Sequence, residues 1–109
     1  MVENRLGQLK QLLSAEPDDA FLNHALAMEF IGQGNDEEAI QTMEKLLTHH
    51  PDHTGTYYHL GFAYLRRGDK SAALGIWENG IKVCRELKKQ HHLAELQSAY
   101  NELMFDEED

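Results

Sequence analysis

Seven histidines and a single cysteine are the residues of this 109-residue chain best suited to metal or nucleophile chemistry. His49, His50, His53 and His59 lie closest together. His49 and His53 are four apart, which would align two imidazoles on one helix face. Pro51 interrupts any helix joining them, and no cysteine or carboxylate set completes a four-ligand site. These histidines read as solvated residues at helix ends, and His91-His92 as the start of a last helix. No metal and no cofactor are expected. Cys84 has no partner for an internal disulfide and no motif that prepares a thiolate, so it reads as a small, half-buried side chain.

Catalysis finds no footing either. The chain has no phosphate-cradling glycine loop, no nucleophile elbow and no metalloprotease helix motif. Its 19 carboxylates cluster at helix starts and on polar faces, where capping and solvation account for them. Catalytic residues are therefore none, and the chain is not expected to be an enzyme. Two basic groups stand out: Arg66, Arg67 and Lys70, then Lys82, Arg85, Lys88 and Lys89. The second follows helical spacing and reads as a solvated face. A net charge of −9 disfavours nonspecific binding to nucleic acid or to an anionic membrane. No apolar run reaches the roughly 20 residues of a membrane span, and MVENRLGQLK lacks a hydrophobic signal core. With its lone cysteine, the chain is expected to be cytoplasmic.

The elements that carry these residues follow from an internal repeat. Leu60, Tyr64, Gly68, Ala73 and Trp77 each have a counterpart 34 residues earlier, in Leu26, Phe30, Gly34, Ala39 and Met43. The same offset carries Pro17-Asp18 onto Pro51-Asp52. A period of this length marks stacked supersecondary units. Apolar spacing near 3.6 on both sides of Gly34-Asn35 and of Gly68-Asp69 makes each unit two helices joined by a short turn, with no need for strands.

Tyr57, Leu60, Gly61, Tyr64, Ala73 and Trp77 resemble the pattern of the tetratricopeptide repeat family, Trp-x2-Leu-Gly-x2-Tyr followed by Ala-x3-Phe. The earlier copy resembles it through Leu26, Ala27, Phe30, Ala39, Met43 and Pro51, with Asn23 where the aromatic would sit. The resemblance, to small proteins of the bacterial type, implies an all-α fold, an α-α superhelix of two full helix-turn-helix repeats. Small residues such as Ala27 and Gly61 let backbones approach, while Phe30, Tyr64 and Trp77 fill the space between helices.

In chain order, residues 3–15 make a half-repeat helix that covers the first full unit. Repeat 1 spans residues 20–53 and repeat 2 residues 54–87, with helices over 20–33, 36–49, 52–67 and from 70 to somewhere in 85–89. Arg85 stands where the closing proline would be, and Gly80 replaces the usual alanine, so the last of these helices is expected to run on. Residues 91–104, with Leu93, Leu96, Tyr100 and Leu103 in one stripe, make a capping helix, and residues 105–109 an acidic tail. All form a single domain.

The first helix of each repeat is apolar on more than its packing face. Phe21, Met28 and Ile31 lie off the Leu26-Phe30 stripe, and Tyr58, Phe62 and Leu65 do the same in the second copy. The family resemblance implies that this face lines a concave groove for a peptide or helix of a partner protein. The expected groove residues are Phe21, His24, Met28, Tyr58, Phe62 and Leu65, with Arg66 as a polar anchor. Two alternatives stay open: the terminal helices cover this face, or a second copy of the chain does, which makes a homodimer. The sequence thus points to a non-catalytic protein-binding module or to a self-association module.

Overall fold

The structure, a computed structural model, describes residues 4–106. It places six helices there: α1 (Arg5–Ala15), α2 (Ala20–Gly32), α3 (Asp36–His49), α4 (Gly55–Arg66), α5 (Lys70–Leu87) and α6 (Gln90–Phe105). No strand occurs among the described residues, and the all-α class is as expected. Glu3 and residues 107–109 of the expected tail lie outside the described residues. Phe105, placed in that tail by sequence reasoning, instead closes α6, since no glycine or proline stops the helix before it. The chain divides into two compact units, one ending at His50 and the other beginning at Pro51.

In the first unit α2 packs against both α1 and α3. Asn4 caps α1 by accepting the Gly7 N–H at 2.7 Å, and Asp19 caps α2 by accepting that of Leu22 at 2.8 Å. Asn23, buried on α2, donates to the carbonyls of Pro17 at 3.0 Å and Asp19 at 2.8 Å, which fastens the helix to the turn preceding it. Ala27, Phe30, Ala39, Ile40, Met43 and Leu46 form the buried core of the α2–α3 pair.

The turn between those helices has a clear chemical cause. Gly34 sits at φ +76°, in the left-handed region that glycine enters without steric cost. The N–H groups of Gly34 and Asn35 return to the carbonyls of Ile31 and Phe30, closing the helix end, and Asn35 then caps α3 through Glu38 N–H. The second unit builds the same turn. Gly68 sits at φ +88°, Asp69 N–H returns to Tyr64 at 2.9 Å, and the Asp69 carboxylate accepts the Ala72 N–H at 3.0 Å.

In the second unit α4, α5 and α6 all pack on one another. Trp77 of α5, 1% exposed, lies directly on the backbone of Gly61, where a Cβ would overlap the indole. Gly61 therefore admits a side chain rather than a neighbouring backbone. Gly80 acts likewise, because a Cβ there would stand 2.7 Å from Tyr57 Cβ and 2.9 Å from Leu96 Cδ1. Tyr64, expected in the interior, is only half-buried, with the Arg67 guanidinium 5.3 Å from its ring. Helix α4 starts later than the expected residue 52, because Pro51 and Asp52 form a turn and Thr54 is the N-cap. Helix α5 ends at Leu87. Lys88 takes the left-handed conformation at φ 57°, and Lys89 N–H returns to Cys84 at 2.9 Å.

Candidate functional site

Along the second unit, α4 and α6 flank a groove whose larger part holds about 370 Å³, lined by Tyr58 and Phe62 on one side and by His91, Ala94, Glu95, Ser98, Ala99 and Glu102 on the other. A neighbouring hollow of about 280 Å³ shares Phe62, Ala99 and Glu102 and adds Leu65, Trp77, Leu103 and Asp106. The two hollows adjoin at those shared residues and form a two-part channel. Tyr58, Phe62 and Leu65 stand four and three residues apart, so they share one face of α4.

That wall is a fixed aromatic run. The Tyr58 and Phe62 rings lie 4.9 Å apart, and Phe62 and Trp77 4.8 Å apart, both edge to face at 65°. Trp77 is held by its indole N–H, which donates to the Tyr58 carbonyl at 3.2 Å. Rings locked this way offer apolar area with little conformational entropy left to lose on binding.

The other expected positions fall in different settings. Phe21, 75% exposed, shares one α2 face with half-buried His24 and Met28 in the first unit. Arg66 is exposed in the last turn of α4 and does not line the channel. The face opposite Tyr58 and Phe62 is supplied by α6, whose part sequence reasoning missed. A signal existed: Leu93, Leu96, Ala99 and Tyr100 stand 36 residues after Tyr57, Leu60, Ala63 and Tyr64. The 34-residue offset hides this match, because α5 has 18 residues where α3 has 14. The four added residues are partly offset by a shorter connection, residues 88–89 against 50–54, so the next helix is displaced only slightly along the chain.

Burial shifts titratable side chains of the second unit, Cys84 and His59 among them. Burial pushes the Cys84 thiol upward, which keeps it protonated, and the residue is fully buried rather than half-buried. Burial holds half-buried His59 below its ordinary value; Glu95 pulls it up and Arg66 pushes it further down. His53 and His92 are engaged with threonines: His53 Nδ1 lies 2.8 Å from the Thr56 hydroxyl, and His92 Nδ1 2.6 Å from that of Thr54. Among the described residues no group of three or more His, Cys, Asp or Glu side chains is placed to hold a metal ion. No described helix is long and apolar enough to cross a membrane.

Residues 19–53 match a tetratricopeptide repeat model. The crystal structure of a tetratricopeptide repeat domain protein from Salinibacter ruber is 38% identical, covers 79% of this chain and 96% of that one, and superposes with a TM-score of 0.75. This chain belongs to the tetratricopeptide repeat family. A solution structure of a tetratricopeptide repeat domain protein from the same organism agrees, at 39% identity, 81% and 89% coverage and a TM-score of 0.76. A Bordetella parapertussis protein with 20% identity, 96% and 91% coverage and a TM-score of 0.84 shares the fold. No curated protein matches the chain. Tetratricopeptide repeat domains generally mediate protein–protein interactions, and the fold is generally non-catalytic.

Proposed function

We propose that this tetratricopeptide repeat protein is a non-catalytic binding module that holds a peptide or helix of a partner protein in the α4–α6 groove. The observation that carries this reading is the α4–α6 groove itself, with the edge-to-face Tyr58 and Phe62 rings on one side and Ala94, Ser98 and Ala99 among the polar residues of α6 on the other. A concave site with aromatic side chains and a few polar groups is a usual form of a peptide-binding groove. Tyr58, Phe62 and Leu65 are the proposed anchors, while Arg66, expected as a polar anchor, stays outside the lining of the groove. In the first unit Phe21, His24 and Met28 are the proposed contact positions on α2. A cytoplasmic setting and an adaptor role fit this reading.

The test is capture from native lysate with the wild-type chain and with a Tyr58→Glu/Phe62→Glu variant shown to be folded by circular dichroism, with Met28→Glu made separately to test the α2 positions. Loss of the wild-type partners is expected. Recovery of the same partners overturns the assignment. Self-association is the second reading, favoured by Leu12 at 56%, Phe21 at 75% and Phe105 at 67% exposure. Light scattering at micromolar concentration separates the two, since a stable dimer that Phe21→Glu dissociates would establish the homodimer.

A further inference from the structure

The two walls of the groove differ in charge as well as shape. Helix α4 presents Tyr58, Phe62 and Leu65, whereas α6 presents Glu95, Glu102 and Asp106, seven and four residues apart and so on one helical stripe. Ser98 and Ala99 lie between the first two carboxylates and keep the space before the aromatic wall open. No lysine or arginine is among the residues that line either part of the channel. His91 stands 3.5 Å from Glu95 and forms an ion pair with it only when protonated.

We infer that the groove takes a cationic amphipathic helix, with apolar side chains against Tyr58 and Phe62 and lysines or arginines against Glu95 and Glu102. This rests on the reading of the groove as the docking site and adds the chemistry of its occupant. Carboxylates with no lysine or arginine in the same lining are complementary to a basic partner and repel an acidic one, which sets specificity and approach. Guanidinium and ammonium groups also favour the faces of Tyr and Phe rings. Spacing selects a helix. Glu95 and Glu102 are roughly 10 Å apart along α6, and a helix laid beside it meets them with cations at i and i+7 on one face. An extended segment covers about the same distance in three residues, which turns alternate side chains to opposite faces.

The experiment is fluorescence anisotropy with a labelled Leu/Lys amphipathic helical peptide and with twins in which every Lys is Glu or Gln. The Lys peptide is expected to bind, and Glu95→Gln/Glu102→Gln to weaken it on the order of tenfold, as two partly exposed charge pairs would. Glu16→Gln/Glu86→Gln removes equal charge from exposed sites elsewhere and should change binding by less than about twofold. An equal loss with that control pair means attraction to net charge alone and overturns the inference, as does absence of Lys-peptide binding. If the Gln or Glu twin binds as tightly, and Phe62→Ala or the milder Leu65→Ala abolishes it, the docking groove stands and its cationic occupant does not. If neither variant affects the Lys peptide, the docking site itself is misassigned.

Discussion

In the first repeat, Asn23 donates an amide N–H to the carbonyl of Pro17 at 3.0 Å; 34 residues on, Tyr57 donates its hydroxyl to the carbonyl of Pro51 at 2.7 Å. Equivalent positions thus satisfy equivalent proline carbonyls with side chains of very different size. The rest of each repeat is adjusted to that choice. Ring bulk at Tyr57 is matched by Gly80, where the first repeat has Leu46, and indole bulk at Trp77 is matched by Gly61, where the first repeat has Ala27 and Met43. Each glycine removes the atom that would collide. A close-packed interior allows a large residue only where a neighbour has become small.

The sharpest way to break this comparison is Gly61→Ala, which drives a methyl into the Trp77 ring. It should cost about 2–3 kcal/mol by urea denaturation. The mirror change, Ala27→Gly, should cost only about 1 kcal/mol, the helix-propensity difference. Adding Trp77→Met to Gly61→Ala should recover part of the loss, a non-additivity that a double-mutant cycle reads directly. Equal losses for Gly61→Ala and Ala27→Gly would show that the indole does not dictate glycine there.

The proline contacts come next in size. Asn23→Leu removes two donors from buried surroundings and should cost about 2 kcal/mol, against about 1 kcal/mol for Tyr57→Phe, which removes one. A smaller gain is expected at the end of α5, where Lys88 occupies the left-handed region that the α2–α3 and α4–α5 turns give to Gly34 and Gly68. Lys88→Gly should raise stability by about 0.5–1 kcal/mol in the same assay.

The smallest effect is a pH dependence from the second repeat, where His59 stands in place of Ala25. Its depressed pKa means that the folded chain takes up the proton less readily than the unfolded one. The His59 contribution is therefore complete above its ordinary 6.5 and is lost as pH falls from there through the folded value. His59→Gln should flatten the fall in melting temperature between about pH 6.5 and pH 5. An unchanged slope would assign the acid sensitivity to other groups.

Much of this was legible in the chain. Gly34, Gly68 and the residues after them announced both turns, because a left-handed residue followed by an N-cap leaves few other choices. Tyr58, Phe62 and Leu65 were legible as apolar residues off the packing stripe of their helix. The carboxylate wall was not, since nothing in the spacing of Glu95, Glu102 and Asp106 distinguishes a groove face from an ordinary solvated one. Asn23 was legible only as the residue standing where the aromatic would sit; that its amide reaches the Pro17 carbonyl, equivalent to the Pro51 carbonyl that Tyr57 reaches, was not.

The sequence by itself determined the helices, the two glycine turns and the repeat, because these depend on contacts within a few residues or on a period that survives in one dimension. Only the tertiary structure decided which side chain each glycine admits and how α6 supplies the second wall of the groove. Those outcomes depend on volumes and carbonyls that meet across helices, and such meetings leave no fixed spacing in the chain.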